Sequence, residues 1–482
     1  YYGNCGQLEY DVHVSPGADP SGVRLRFRGA DSVRLDGDGS LLIAVGGREI
    51  RQGRPLVYQE IAEGGSRRRV NIEGGYAVTN EGEVRFTLGA YDSTQPLVID
   101  PVLSYSGYFG GGRYDVPTGM TTDLSGDIWI TGTTYSVIEP PQVTGAYQAA
   151  KSDKTDVFVA KYGIQVSGEP LLMYWTYLGG SYIDEGGQIV ADNSGRLLVT
   201  GTTYSEDFPC TDDALVSKYV GAGDAFLVKL DPTLDGEDSL IYGTFMGGTE
   251  LDVPTAVSLS PAGALAITGY TASVNIAFVP EGDLTLQPHN QGGWDGFVFT
   301  FDASGEGAPA LQFASYYGGG GSDVPVGVGW APDGTLLLAG YTMSENLPVA
   351  GEGYNSFFRE PCDLFVAKLD LNQYWLDILQ FGAYFGGSDV DYATVARVDA
   401  VGAMWVSGYT VSRDFPVTAS AYQLAYGGGA SDAFLMRVDP AKPLSDAVTY
   451  ATYVGGSDAE VFYDVLPLDA SRVVVAGYSL SA

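Results

Sequence analysis

The chain has 482 residues, of which 67 are glycine, 33 tyrosine and 20 phenylalanine, and only 17% carry a charged side chain. This composition is typical of many short strands joined by tight turns, so we predict an all-β protein. The formal net charge of −34 repels phosphate groups, which excludes nucleic acid as a partner, and no apolar run is long enough to predict membrane insertion.

The first hundred residues differ in charge from the rest and predict a separate β domain, residues 1–100. They hold 11 arginines against 14 acidic residues, so almost all of the net negative charge lies after them. Residues 23–28 alternate apolar and basic side chains, which places the arginines on one face of a predicted strand. Basic residues in an acidic molecule are a candidate interface with the same or a neighbouring copy, and a solvated face is the alternative. The candidate interface residues are Arg24, Arg26, Arg28, Arg67, Arg68 and Arg69.

From residue 101 to 482 the sequence repeats with a period of about 69 residues. A Gly-Gly turn is followed four residues later by a carboxylate, and successive carboxylates are 69, 68, 71, 68 and 69 residues apart. A glycine that ends a short apolar run keeps the same period. Two markers in one register predict stacked or radial repeats. The six recurrent carboxylates are Asp115, Asp184, Asp252, Asp323, Asp391 and Glu460.

Each repeat predicts four strands. Residues 187–192 run into a turn and return over 196–203 as a hairpin. A third strand begins with Asp-x-Phe, as at Asp224, and a fourth strand over 240–246 leads into the next Gly-Gly turn. Four antiparallel strands repeated about six times predict a β-propeller of six four-stranded blades, or of seven if the natural protein extends beyond this sequence.

Three segments carry a family resemblance: Asp-Ala-Phe-Leu-Val-Lys-Leu at 224–230, Tyr-Trp-Thr-Tyr-Leu-Gly-Gly at 174–180, and Asp-Phe-Pro at 207–209. With these motifs, residues 101–482 resemble the bacterial SBBP-type β-propeller repeat. Residues 1–100 resemble the β domain that commonly precedes such repeats in exported bacterial proteins, and we expect it to be β-sandwich-like. The resemblance implies a secreted or cell-surface protein, and it implies no enzyme activity.

The third strand of the repeat is one copy short. The inner hairpin occurs six times, whereas the Asp-x-Phe strand occurs five times, beginning at Asp156, Asp224, Asp295, Asp363 and Asp432. If six blades close a ring, residues 102–111 supply the outermost strand of the last blade, and that blade lacks its third strand. Unpaired backbone groups favour strand addition, from the first domain, from a segment absent from this sequence, or from a neighbouring copy.

The recurrent carboxylates precede the innermost strand of each blade, so we expect them around one mouth of the central channel. A ring of like charges is destabilising unless a cation or solvent screens it, and Ca²⁺ accepts several oxygen ligands in flexible geometry. Calcium is therefore a candidate cofactor. The alternative is that each side chain bonds the backbone of its own glycine-rich turn. For the Asp of each Asp-x-Phe strand we predict a turn-capping role, and for its Phe a place in the core.

Residues suited to catalysis are scarce, because the chain has only two histidines and no nucleophile-elbow, P-loop or dinucleotide motif. We therefore predict a non-enzymatic extracellular structural protein that assembles with itself or with other surface proteins or glycans, as a filament or surface layer, partly by completing the last blade. One alternative is a surface module that binds glycan or peptide through loop aromatics such as Tyr147, Phe278 and Trp294. Another is a carbohydrate-active enzyme with paired carboxylates.

Overall fold

The computed structural model divides into two compact units, one formed by Tyr1–Gly111 with Lys161–Met173 and the other by Gly112–Ala160 with Tyr174–Ala482. Each unit is described by itself. Among the described residues, no helix is long and apolar enough to cross a membrane. The structure describes residues 2–4, 7–9, 12–27, 30–37, 39–45, 48–63, 66–79, 82–100, 110–137, 145–164, 170–276, 278–280, 285–350, 357–469 and 471–481.

The first unit consists of short antiparallel strands and one turn of 3-10 helix, Pro20–Gly22. The strands are β1 Tyr2–Asn4, β2 Gln7–Glu9, β3 Val12–Val14, β4 Arg24–Leu25, β5 Ser32–Leu35, β6 Leu41–Val45, β7 Arg48–Gln52, β8 Leu56–Glu63, β9 Ser66–Ile72, β10 Gly74–Val78, β11 Val84–Leu88 and β12 Leu97–Asp100. They pair in sheets with the orders β10-β11-β4, β3-β12-β8-β9, β5-β6-β7 and β1-β2.

Three of these sheets share one hydrophobic core. In β11, Val84 and Phe86 are buried while the side chain between them is exposed, as alternation along a half-buried strand requires. They pack with Leu41 from β6 and with Val57 and Ile99 from the four-stranded sheet. Sheets that bury their inner faces against one another form the sandwich-like arrangement predicted for this region.

The second unit contains the β-propeller, which confirms the predicted fold class, while residues 161–164 and 170–173 of the first blade belong to the first unit. Blade 1 consists of β13 Asp115–Thr122, β14 Ile128–Thr134, β15 Asp156–Ile164 and β16 Pro170–Leu178, and blade 2 of β17 Asp184–Ala191, β18 Leu197–Thr203, β19 Asp224–Leu230 and β20 Leu240–Phe245. Blade 3 consists of β21 Asp252–Leu259, β22 Ala264–Thr271, β23 Asp295–Asp302 and β24 Ala310–Tyr317, and blade 4 of β25 Asp323–Trp330, β26 Leu336–Thr342, β27 Asp363–Leu369 and β28 Leu379–Phe385. Blade 5 consists of β29 Asp391–Val398, β30 Met404–Thr410, β31 Asp432–Val438 and β32 Val448–Val454, and the described strands of blade 6 are β33 Glu460–Pro467 and β34 Val473–Ser479. Turns of 3-10 helix lie at Gly236–Ser239, Trp375–Ile378 and Leu444–Asp446.

Within each blade the strands follow one another in sequence order and pair antiparallel. The first strand of every blade contains a β-bulge opposite the repeated glycine of the second strand, as at Pro325 opposite Gly340. A Cβ on Gly340 would lie 2.1 Å from the carbonyl oxygen of Val324, so no larger residue fits there without a shift of backbone. The bulge explains the glycine that keeps the repeat period.

Consecutive blades pack face to face through apolar clusters. The phenylalanine of each Asp-x-Phe strand is fully buried, which confirms its predicted core position, and Phe226, Phe297, Phe365 and Phe434 belong to these clusters. The interface between blades 5 and 6 is thinner: in the described residues its fully buried members are Val395, Trp405, Leu435 and Val465.

Blade 6 differs from the other five because its described sheet contains only β33 and β34. Five Asp-x-Phe strands and six inner hairpins are present, as predicted. Residues 102–109, the predicted outermost strand of this blade, lie outside the described residues, so their pairing stays a prediction. The predicted domain boundary after residue 100 is likewise still a prediction.

Candidate functional site

The recurrent carboxylates accept hydrogen bonds within their own hairpins, and all of them except the half-buried Asp115 are buried. The side chain of Asp323 accepts hydrogen bonds from the Thr342 hydroxyl, from the Ser344 hydroxyl at 2.7 Å and from the backbone N–H of Gly319 at 2.6 Å. Asp184, Asp252 and Asp391 make the same three contacts with their own threonine, serine and glycine. Glu460 uses Ser479, Ser481 and Gly456, and Asp115 bonds Thr134 and Ser136.

These contacts favour the alternative in which each carboxylate bonds within its own hairpin, and the calcium ring stays a prediction. In blades 2 to 5, two hydroxyls and the preceding Gly-Gly turn satisfy the carboxylate. Within the ranges that the structure describes, no group of three or more His, Cys, Asp or Glu side chains can hold a metal ion. The partner residues have a sequence signal that the predictions did not include: Thr-x-Ser, or Ser-x-Ser in blade 6, recurs at the end of every second strand with the same period.

The aspartates of the Asp-x-Phe strands form a second buried set. The Oδ2 atom of Asp363 accepts a hydrogen bond of 2.7 Å from the backbone N–H of Arg359, and Asp224, Asp295, Asp156 and Asp432 cap their preceding turns in the same way. This confirms the predicted capping role. The other oxygen, Oδ1, is buried and accepts no hydrogen bond in Asp224, Asp295, Asp363 and Asp432.

The two acidic sets meet at the Gly-Gly turns between blades. A Cβ built on Gly386 would lie within 2.7 Å of an oxygen of Asp363 and of an oxygen of Asp391, so both carboxyl groups face this turn. Burial raises the pKa of Asp363 to about 7 and that of Asp391 to about 6. Both carboxyl groups therefore keep their protons to a higher pH than an exposed aspartate does. A side chain on Gly386 would clash with both of them.

Two arginines of the predicted basic face form ion pairs with the same acidic residue. Arg24 and Arg26 are exposed, and their guanidinium groups lie 3.3 and 3.7 Å from the carboxylate of Glu83, which also contacts Arg85. The alternating apolar residues Val23, Leu25 and Phe27 pack on the domain core, as predicted. Arg28 and the side chains of Arg67, Arg68 and Arg69 lie outside the described residues, so their role in an interface stays a prediction.

Two of the three loop aromatics predicted to bind glycan pack against core residues. Tyr147 packs against the cluster between blades 1 and 2, and the ring of Phe278 contacts that of Phe299 with centroids 4.7 Å apart. Trp294 is 44% exposed and packs against Tyr270 at 5.2 Å. Two of the three aromatics suggested for glycan stacking therefore contribute little free surface.

A central cavity of about 450 Å³ lies among the inner strands of all six blades. Hydrogen bonds cross between blades around it: Gln188 donates its side-chain amide to the Thr118 carbonyl at 3.0 Å, and Thr255 donates its hydroxyl to the Pro325 carbonyl at 2.6 Å. Arg397 and Asp464, 3.6 Å apart, are the charged residues of this lining. The other side chains of the described lining are hydroxyl, amide and apolar groups.

The open edge of blade 6 is the most unusual surface of the propeller. Strand β34 occupies the position that β18 and β26 occupy in blades 2 and 4, where every residue is buried. In β34 no residue is fully buried, and Val474 and Tyr478 are 51% and 43% exposed. An apolar inner strand that pairs on one side only, in the described part of the chain, is a ready acceptor for another strand.

The fold and these repeated hairpins define a β-propeller. Residues 174–209 match the family model described as "Beta-propeller repeat", SBBP, and residues 1–102 match "Domain of unknown function (DUF7948)". Both regions were expected from the sequence motifs. No curated protein matches the chain.

Solved structures resemble the chain only distantly. A Hadza microbial sialidase is 9% identical, with a TM-score of 0.38, over 97% of this chain and 93% of that one. A structural genomics protein of unknown function from Bacteroides thetaiotaomicron is 10% identical, with a TM-score of 0.27, over 92% of this chain and 95% of that one.

Proposed function

We propose that the protein is a non-enzymatic interaction scaffold of the cell surface or extracellular space, which assembles with further polypeptide chains, including copies of itself, through the open edge of blade 6. The observation that carries this proposal is the exposure of β34. Its counterparts β18 and β26 are wholly buried, so the apolar side chains of β34 are suited to burial under a further strand.

The chemistry of the remaining surface supports a scaffold rather than an enzyme. The recurrent acids accept hydrogen bonds within their own hairpins, and the described lining of the central cavity contains one ion pair, Arg397 with Asp464. The extracellular setting comes from the resemblance to exported repeat proteins. A strongly negative net charge also keeps single propellers soluble and directs specific contacts to patches such as the open edge.

The proposal is tested by the assembly state of the full chain. We expect light scattering after size exclusion, over a range of concentrations, to show oligomers, and electron microscopy to show them as ordered arrays. Val474→Pro and Val475→Pro form a matched pair, because adjacent backbone N–H groups in a strand point to opposite edges. At one of these two positions proline removes an N–H group that pairs with β33, and at the other it removes only an N–H group of the open edge.

The informative proline variant is the one that keeps the unfolding midpoint of the unsubstituted chain, and we expect it to be monomeric. A chain that stays monomeric at every concentration would contradict assembly through copies of itself. Oligomers that both proline variants retain would show that assembly uses another surface.

A second candidate function is small-ligand binding in the central cavity, whose volume of about 450 Å³ lies in the range of ligand pockets. Its lining of hydroxyl, amide and apolar groups suits an uncharged polar ligand such as an oligosaccharide end. Screening of soluble glycans by the unfolding midpoint tests this candidate, and Gln188→Leu is expected to remove any shift.

A further inference from the structure

We propose that a groove between blades 3 and 4 binds an extended, uncharged oligosaccharide of β-1,4-linked hexoses. The groove consists of two adjoining cavities of about 410 and 440 Å³, and both are lined by Gln312 and Phe313 of β24 and by Leu371 and Asn372, which follow β27. In the described part of the chain these cavities share no lining residue with the central cavity. The groove is therefore a further binding site, and its occupancy does not depend on the open edge of blade 6.

The backbone at Trp375 carries this proposal. Trp375 has a φ of 48°, and no other described residue except glycine has a positive φ. Left-handed backbone is unfavourable for a residue with a Cβ. Blade 2 has an equivalent turn of 3-10 helix directly before its fourth strand, and the residue that begins it is Gly236, with a φ of 59°. Blade 4 therefore places a 55% exposed tryptophan where the backbone favours glycine, which indicates a function for the ring.

Two consecutive exposed aromatic residues lie at the edge of the groove. Tyr374 is 66% exposed and lines the larger cavity, and Trp375 follows it in the chain. Hexoses with equatorial hydroxyl groups present flat faces of C–H groups, which pack on aromatic rings while the hydroxyls at their edges bond polar groups. One exposed ring would need no explanation, but two beside a polar groove are suited to the apolar faces of a sugar chain.

Hydrogen-bonding groups line the part that the two cavities share. Gln312 and Asn372 are exposed, and each side-chain amide, which otherwise bonds a residue two positions away, offers donors and an acceptor to neighbouring hydroxyls. Trp330 lines the smaller cavity, and its indole N–H is buried without a hydrogen-bond partner in the described part of the chain. A buried donor without an acceptor is unfavourable, so a ligand oxygen that reaches Trp330 gains a bond the protein itself does not supply.

The charge of the lining selects against acidic sugars. Asp302 is the one charged residue among the described lining residues of the two cavities. Hydrogen bonds from Ser304 lower the pKa of Asp302, so it is ionised at neutral pH, and the net charge of −34 adds to the repulsion of anions. A carboxylate accepts hydrogen bonds from hydroxyls, so an uncharged sugar is favoured. Because β-1,4 linkage between equatorial positions gives an extended chain, consecutive sugars can occupy both cavities.

The test is isothermal titration calorimetry of the full chain with cellohexaose and with mannohexaose, two β-1,4-linked chains that differ in the orientation of one hydroxyl per sugar. We expect at least one of them to bind with a Kd below about 1 mM, and cellobiose, which fills only one cavity, to bind at least about tenfold more weakly.

Three variants assign the binding to the groove. Trp375→Gly is expected to weaken hexaose binding at least about tenfold without lowering the unfolding midpoint, because glycine removes the ring and relieves the backbone. Trp330→Phe keeps a ring and removes the N–H, so we expect about three- to tenfold weaker binding, the value of one hydrogen bond. Trp294→Ala, which removes an exposed tryptophan outside the groove, is the matched control and should leave binding unchanged.

Failure of both hexaoses to bind overturns the inference, and so does binding that Trp375→Gly and Trp330→Phe leave unchanged. A lower unfolding midpoint of Trp375→Gly would show that the tryptophan supports the fold, which also contradicts the inference. Binding that Gln188→Leu removes and Trp375→Gly does not would place the ligand in the central cavity, which overturns the groove and supports the second candidate function. None of these results bears on assembly, because the variants lie outside blade 6.

Discussion

Five of the six described hairpins bury a recurrent carboxyl group and surround it with hydrogen-bond donors. For Asp323 these are two hydroxyls from residues 342–344 and one backbone N–H from the Gly-Gly turn, so they come from two different segments of the chain. Hydrogen bonds to an ionised group are stronger than neutral ones, and they fix the direction of all three partners. The carboxylate therefore joins the end of one blade to the hairpin of the next.

Replacement of this group tests its structural role. With Asp323→Ala, the hydroxyls of Thr342 and Ser344 lose their acceptor, and both side chains are buried. We expect the free energy of unfolding to fall by about 2–3 kcal/mol, since a buried donor left without an acceptor costs about 1–3 kcal/mol. Denaturant titration at pH 7 measures it, with the exposed Asp213→Ala as control, for which we expect a change within about 0.5 kcal/mol. Equal effects of the two substitutions would contradict the tie.

At the scale of the strand, the bulged hairpin makes a prediction about glycine. Gly340→Ala brings a Cβ within 2.1 Å of the Val324 carbonyl oxygen and 2.8 Å of the Phe365 ring, so backbone or ring must move. We expect a loss of about 2–4 kcal/mol, comparable to overpacking of a core. Gly112→Ala is the control, since no atom lies within 4 Å of its Cβ position. If the Gly340→Ala protein unfolds with the same free energy as the unsubstituted protein, the backbone of the bulge can shift to accept a side chain, which contradicts the prediction.

Much of this element structure was predictable, because period, turn glycines and alternation are local features of sequence. The hairpin strands and the five Asp-x-Phe strands lie where the motifs placed them. The environment of the acids was not predictable in this way. A recurrent Asp is equally compatible with a metal ring and with a hydrogen-bonded turn, and only the fold shows that Thr342 and Ser344 reach Asp323. Likewise, only packing reveals that Tyr147 belongs to the core.

On the scale of the whole molecule, the buried acids make folding depend on pH. Burial raises the pKa of Asp224, Asp295 and Asp363 to about 7, and that of Asp184, Asp252 and Asp391 to about 6, from an ordinary value of 3.8. Between about pH 4 and 7, the folded chain therefore holds protons that the unfolded chain has released. The free energy of unfolding must fall as pH rises through this window, because the native state binds more protons.

We therefore expect a higher unfolding midpoint at pH 5 than at pH 8, and Asp295→Asn identifies the cause. The amide is neutral at both pH values, and its nitrogen replaces an unpartnered oxygen beside Asp323. This variant should be more stable than the unsubstituted chain at both pH values, by a smaller margin at pH 5 than at pH 8, which flattens the profile. Asp302→Asn is the control, since hydrogen bonds from Ser304 lower the pKa of Asp302, and removal of its charge should give no gain at pH 8. Stability that instead rises from pH 5 to pH 8 would mean that these carboxyls are ionised in the folded propeller, which requires a cation or solvent at the blade junctions to compensate their charge.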